Sequence, residues 1–144
     1  LVVDTGYGMA KRTFLGVDPL RANLMVATLE KQLKLRLANK DIILNIIGGM
    51  KVKEPALDLA MVAAILSSYY EKPIPAKTVC FGEVGLTGEV RQVSNTVERI
   101  KEASKFEFSS IFLPEKRDII EKVNGQLALN YVKNISEFSQ FFVD

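Results

Sequence analysis

The chain has 144 residues, 48% of them hydrophobic and 25% charged, with a formal net charge of +2. That bounds it to one sizeable core and one expected domain over residues 1–144, and no apolar run approaches the length of a membrane span. Histidine is absent and Cys80 is the one cysteine. Imidazole bases, imidazole metal ligands, an internal disulfide and a Cys-based zinc site are therefore excluded.

The charge is uneven. Residues 1–53 carry 9 Lys+Arg against 4 Asp+Glu, or +5, and the remainder 10 against 13, or −3. The opening "LVVDTG" shows no initiator Met and no signal-peptide pattern, so it reads as a domain cut from a longer protein.

"LVV" reads as a strand, and "DTGYGMAKRTFLGV" (4–17) as a Gly-rich surface loop presenting Lys11 and Arg12. It follows a strand, yet it does not meet the phosphate-loop spacing G-x-x-x-x-G-K-[ST]. Asp18 then Pro19 is a cap followed by a first-turn proline, which predicts a helix that ends before "LANK". Its expected apolar face is Leu20, Leu24, Ala27, Leu29 and Leu33.

"DIILNII" (41–47) reads as a buried strand stopped by Gly48 and Gly49. Pro55 opens a second helix, predicted to run to about Tyr70. Lys51 and Lys53 precede this helix and are candidates to hold an anion near its N-terminus, against the blander reading of solvated lysines beside Glu54. Asp58, a lone acid in an apolar helix, is expected in a structural or interface role.

"KTVCFGEV" is the next strand, with Cys80 expected as a buried structural thiol, and "GLTG" (85–88) turns it into "EVRQV" as a hairpin. The helix in "SNTVERIKEASKF" is expected to be capped by Ser94 or Asn95, with Val97, Ile100 and Ala103 inward. Arg99 and Lys101 fall on different sides of it, and Glu98 and Glu102 mark a solvated face. "SSIFL" reads as a strand, 114–125 as a short helix, and "LALNYV" as a last strand. A final helix carries Phe138, Phe141 and Phe142 on its apolar side. Alternating elements plus a hairpin predict an α/β fold with a mixed sheet.

"GEVGLTGEVRQV", "GGMKVKEPALDLAMVAAILSS" and "GYGMAKRTFLGVDPLRANLMVATLEKQL" together resemble the Lon-protease-like C-terminal domain of bacterial RadA (Sms) DNA repair proteins. The resemblance spans nearly the whole chain. It implies a ribosomal protein S5 domain 2-like, Lon-peptidase-like α/β fold with packed helices. Lon peptidases use a Ser–Lys dyad. Laid on this chain, the resemblance puts Ala56 where the serine would stand and Val97 where the lysine would. A methyl group has no nucleophilic oxygen and an isopropyl group no amine, so the dyad is degenerate. Ser67 and Ser68 lie about three turns further along the helix, roughly 16 Å away.

The resemblance further implies a domain that does not cleave peptides, that supports a ring-shaped homo-oligomer and that contacts DNA without sequence preference. Lys11, Arg12, Lys51 and Lys53 are the expected phosphate contacts, and Asp58 an expected contact between copies. No cofactor is expected in this domain. ATP, magnesium and zinc belong to a RecA-like ATPase and a zinc ribbon elsewhere in a branch-migrating parent, and the location expected is cytoplasmic. A working Lon-type Ser–Lys peptidase is the alternative, disfavoured by Ala56 and Val97.

Overall fold

Residues 1–116 and 126–143 are described by a computed structural model, and they form an α/β fold. The first third holds β1 (Val2–Asp4), β2 (Arg12–Leu15), α1 (Pro19–Leu33) and β3 (Lys40–Asn45). β3 is central in this sheet, antiparallel to β1 and parallel to β2.

β2 lies inside the segment read as a loop. Its parallel partner arrives only after α1, so this strand is a crossover product that no local pattern announces. At its end Gly16 takes φ 81°, and a Cβ there would sit 2.8 Å from the Ile46 Cβ. That close approach lets Val52 N–H donate to Gly16 O at 2.8 Å, and Val17 and Val52 form a parallel bridge.

α1 begins as expected: the Asp18 side chain accepts from Leu20 N–H at 3.3 Å, with Pro19 in the first turn. The buried face is different. Ala22, Met25, Val26 and Leu29 are buried, whereas Leu20 is 69% exposed. The helix carries two apolar stripes, and the one with the small Ala22 is turned inward where α1 packs on a second helix, α2 (Asp58–Tyr69). β3 is likewise buried on one face only: Ile42 and Leu44 point inward, Ile43 outward.

α2 follows a 3-10 turn (Pro55–Leu57) and forms the centre of the main core. Leu59, Met61, Val62, Ile65 and Leu66 are buried, and an almost all-apolar helix is stable only when covered on most sides.

Then come β4 (Thr78–Cys80), β5 (Glu83–Val84), β6 (Val90–Arg91), α3 (Thr96–Lys105), β7 (Ser110–Pro114), β8 (Ala128–Val132) and α4 (Ile135–Ser139). β4, β7 and β8 make a parallel sheet, while β5 and β6 pair as the expected hairpin. The mixed sheet is thus confined to the first third, and the strand read through 77–84 breaks after Cys80. The cause is a change of partner: Phe81 N–H still bonds Phe112 O in β7, but Gly82 N–H turns to Ala56 O at 2.9 Å.

A second, smaller apolar cluster under α3 joins Ala56, Phe81, Ile100, Ala103, Ile111 and Leu113. Asn95 precedes α3 in a left-handed conformation (φ 59°) and makes no side-chain cap bond. α4 is capped by Asn134, which accepts from Glu137 N–H at 2.8 Å; Phe138 within it and Phe142 beyond its end are buried, whereas Phe141 is exposed. In the helix expected over 114–125, Pro114 is the last residue of β7 and 117–125 lie outside the described residues. Among the described residues no helix is long and apolar enough to cross a membrane.

Candidate functional site

Pro55 presets the backbone for the 3-10 turn, and the turn is stitched to the start of the hairpin by two bonds. Gly82 N–H donates to Ala56 O, and Leu59 N–H donates to Gly82 O at 3.0 Å. This places the Ala56 methyl, 4% exposed, in the wall of a cavity of about 350 Å³. Val79, Cys80 and Phe81 line one side, and Arg99, Ala103 and Phe106 of the α3 segment line the other. The spacing 99, 103, 106 is one helical stripe.

Val97 is not on that stripe. It lies two residues before Arg99, about 200° around the helix, and does not line the cavity. The fold therefore puts Arg99, and not Val97, in the wall of the same cavity as Ala56. Arg99 donates through Nη2 to the Glu54 carboxylate and through Nε to Ser94 O at 3.0 Å. Its guanidinium carbon sits 5.6 Å from the Phe81 ring centroid, a cation–π arrangement.

Among the described residues, the lining contains no hydroxyl or amine side chain. Its thiol, Cys80, is pushed up to about 12 by burial. At neutral pH only about one molecule in 10⁵ would carry the thiolate, which is the nucleophilic form. Ser67 Oγ donates to Lys72 O at 2.7 Å and Ser68 Oγ accepts from Val2 N–H at 2.8 Å, so neither is turned to the cavity. What the arrangement can do is hold an apolar group beside an ion pair.

Asp58, two residues on, faces the opposite way and is fully buried. Arg21 grips it with two bonds of 2.6 Å, Nε to one oxygen and Nη2 to the other. Val84 N–H donates to the second oxygen at 3.0 Å, and Glu83 lies 3.4 Å from Arg21 Nη2. The Asp58 hydrogen bonds raise the Arg21 pKa further. Asp58 is thus spent inside the chain as a tie between α1, α2 and the hairpin. The expected contact with another copy is corrected, because a fully buried carboxylate offers nothing to a neighbour.

The four basic residues divide. Arg12 is the first residue of β2, not a loop residue, and it is half-buried. Its Nη2 donates to Leu37 O at 2.8 Å and its Nη1 to Lys40 O. Leu37 O also accepts from Lys40 N–H at 3.0 Å, so Arg12 clamps the backbone turn that leads into β3. Lys11 is exposed, with its N–H donating to Asp41 at 2.7 Å. Lys51 and Lys53 are exposed on either side of Val52 and share a groove with Phe14, Gly16 and Pro19. In an extended segment, alternate side chains point to one side, so the bridge at Val52 turns both lysines outward. No ion pair holds either among the described residues.

Reading by sequence missed Arg21 and gave Arg99 no part in a site. Their partners lie 37 and 45 residues away, beyond any local pattern. The one available signal was the stripe of Arg99, Ala103 and Phe106.

A model of the family described as subunit ChlI of Mg-chelatase matches residues 22–117. The chain is 48% identical over 115 residues to a protein named DNA repair protein RadA from Streptococcus pneumoniae, covering 80% of this chain and 27% of that protein. For the protein of the same name from Listeria monocytogenes the identity is 39% over 137 residues, covering 95% and 30%. For that from Aquifex aeolicus it is 44% over 119 residues, covering 83% and 27%. The chain spans less than a third of the length of these curated relatives.

Proposed function

The chain belongs to the ChlI family and is a homologue of the bacterial DNA repair proteins named RadA, and from that premise we propose that it is their non-proteolytic, DNA-contacting and self-associating domain. On this reading the fold is the Lon-peptidase-like, ribosomal protein S5 domain 2-like one. The parent is a cytoplasmic DNA-dependent ATPase acting in branch migration, with ATP, magnesium and zinc held by its other parts.

The observation that carries the DNA contact is the exposed pair Lys51 and Lys53, turned outward by the Val17–Val52 bridge. Exposed cations on a backbone loop meet phosphates and not base edges, so binding is sequence-independent and salt-sensitive. Lys11 is a further exposed cation, whereas Arg12 is committed to Leu37 and Lys40. Self-association is supported by the outer face of the first sheet, where Val3 (39%), Leu15 (54%) and Ile43 (38%) are exposed. Against a Ser–Lys peptidase stand the Ala56 methyl and a cavity lining that, among the described residues, has no hydroxyl or amine side chain.

The test is fluorescence anisotropy of a labelled duplex titrated at several salt concentrations. Replacing Lys51 and Lys53 together with Ala should flatten the slope of log K against log salt by about 1.8 units, and Lys11→Ala by about 0.9. An unchanged slope in all variants moves the contact elsewhere, and no binding at low salt overturns the DNA reading.

A further inference from the structure

The sheet β4–β7–β8 ends at β4, and the edge of β4 runs into the cavity beside Ala56. Ser110 N–H donates to Lys77 O at 3.2 Å and Phe81 N–H to Phe112 O at 3.0 Å, so the odd-numbered residues here bond β7. A parallel ladder alternates, and Thr78 and Cys80 therefore turn their N–H and C=O groups to the outer edge. That edge is capped two residues on, where Gly82 N–H reaches Ala56 O. The 3-10 turn covers the edge at Gly82 and stops. No described residue bonds the outward backbone groups of Cys80.

The cavity that lies there is apolar in its walls, and its lip is aromatic: Phe106 is 67% and Phe108 36% exposed. Its charged lining residues are Glu54 and Glu102 against Arg99, one negative charge in excess. Arg99 is engaged by Glu54, while Glu102 meets only the exposed Lys105 at 3.7 Å. At about 350 Å³ the space is at the low end of ligand pockets, enough for one or two large side chains.

We propose that the β4 edge and this cavity form a binding site for an extended polypeptide segment, which adds a strand beside Cys80, seats one large apolar side chain against Phe106 and sets a basic side chain near Glu102. Main-chain hydrogen bonds supply affinity in such strand addition, and the pocket supplies selectivity. The site is separate from the lysines of the DNA reading and stands or falls without them.

The experiment uses the 144-residue chain and a fluorescein-labelled octapeptide with one Phe flanked by Lys in an Ala and Thr background. Anisotropy should show saturable binding that is lost when the amides around the Phe are N-methylated. It should weaken about tenfold with Phe106→Ala, since one aromatic contact surface is removed. Unfolding temperature should be unchanged in that variant, because the ring is mostly exposed. Replacing the peptide lysines by glutamate should weaken binding further. No saturable binding up to millimolar protein, equal binding of the N-methylated peptide, or indifference to Phe106→Ala would each overturn the assignment. If sedimentation finds a dimer and peptide binding vanishes as the dimer forms, the occupant is a second copy and the proposal fails.

Discussion

Ala56 and Asp58 stand two residues apart at the head of the same helix, and their surroundings are opposites. On the Asp58 side every polar group is met: a bidentate Arg21, the Val84 N–H, and no exposure. On the Ala56 side the walls are apolar, no described residue bonds the sheet edge at Cys80 and the cavity is open. A buried charge demands closure, because an unpaired one costs several kcal/mol. An apolar surface makes no such demand and can be left open. The polar side therefore holds the fold together, and the apolar side is the one free to accept something.

The largest effect should come from breaking the closed side. Arg21→Ala leaves the Asp58 carboxylate buried and unpaired, with an expected loss of about 3–5 kcal/mol by urea denaturation. Asp58→Ala should cost less, about 1–3 kcal/mol, since it orphans the Val84 N–H while Arg21, 27% exposed in its side chain, can turn to water. Equal losses in the two variants would undo the contrast.

Gly16→Ala should come next, at about 1–3 kcal/mol. The added methyl meets Ile46 and the Met50 carbonyl and strains a positive φ, and the affected bridge is the one that sets Lys51 and Lys53. Both the unfolding midpoint and the DNA salt slope should therefore shift.

On the open side the expected effects are small. Arg99→Met should lower stability by under about 1 kcal/mol, since its ion pair with Glu54 is partly solvated. Ala56→Ser with Val97→Lys should give no cleavage of an unfolded substrate and no labelling by a serine-reactive phosphonate. The lysine would project from a different face of α3 than the one lining the cavity, and rates collapse when reacting groups are misaligned by an ångström. Cleavage above background would sink both that geometry and the non-proteolytic reading.

Acid should act at the hairpin. Glu89 is held down to about 2, first by the Thr87 hydroxyl and then by its own backbone N–H and Arg91. Its folded value lies below its unfolded one, so its stabilising effect is present above about pH 4.5 and is lost as pH falls toward 2. Thr87→Ala should move this acid limb upward in a pH series of thermal unfolding.

Much of the order of elements was legible because its signals are local. Asp18 with Pro19, Pro55 and the turn at 85–88 act within three or four residues, and each marked its boundary. The long apolar run of α2 announced a buried helix for the same reason. β2 was not legible, since four residues with no alternation become a strand only when β3 lies alongside. Nor was the buried stripe of α1: two stripes of similar apolarity compete, and the choice depends on what packs against them.

The candidate site divides along the same line. From residue types alone it follows that position 56 has no nucleophile and that no imidazole chemistry is possible, because identity at a position needs no partner. Tertiary structure alone decided that Arg99, not Val97, lines the cavity with Ala56 and pairs with Glu54, that Arg12 clamps two carbonyls, and that Asp58 is closed off by Arg21. Each of those contacts joins residues from 25 to 45 apart. A side chain's role in such a contact is set by which groups the folded chain brings within about 3 Å of it, and sequence neighbours do not carry that information.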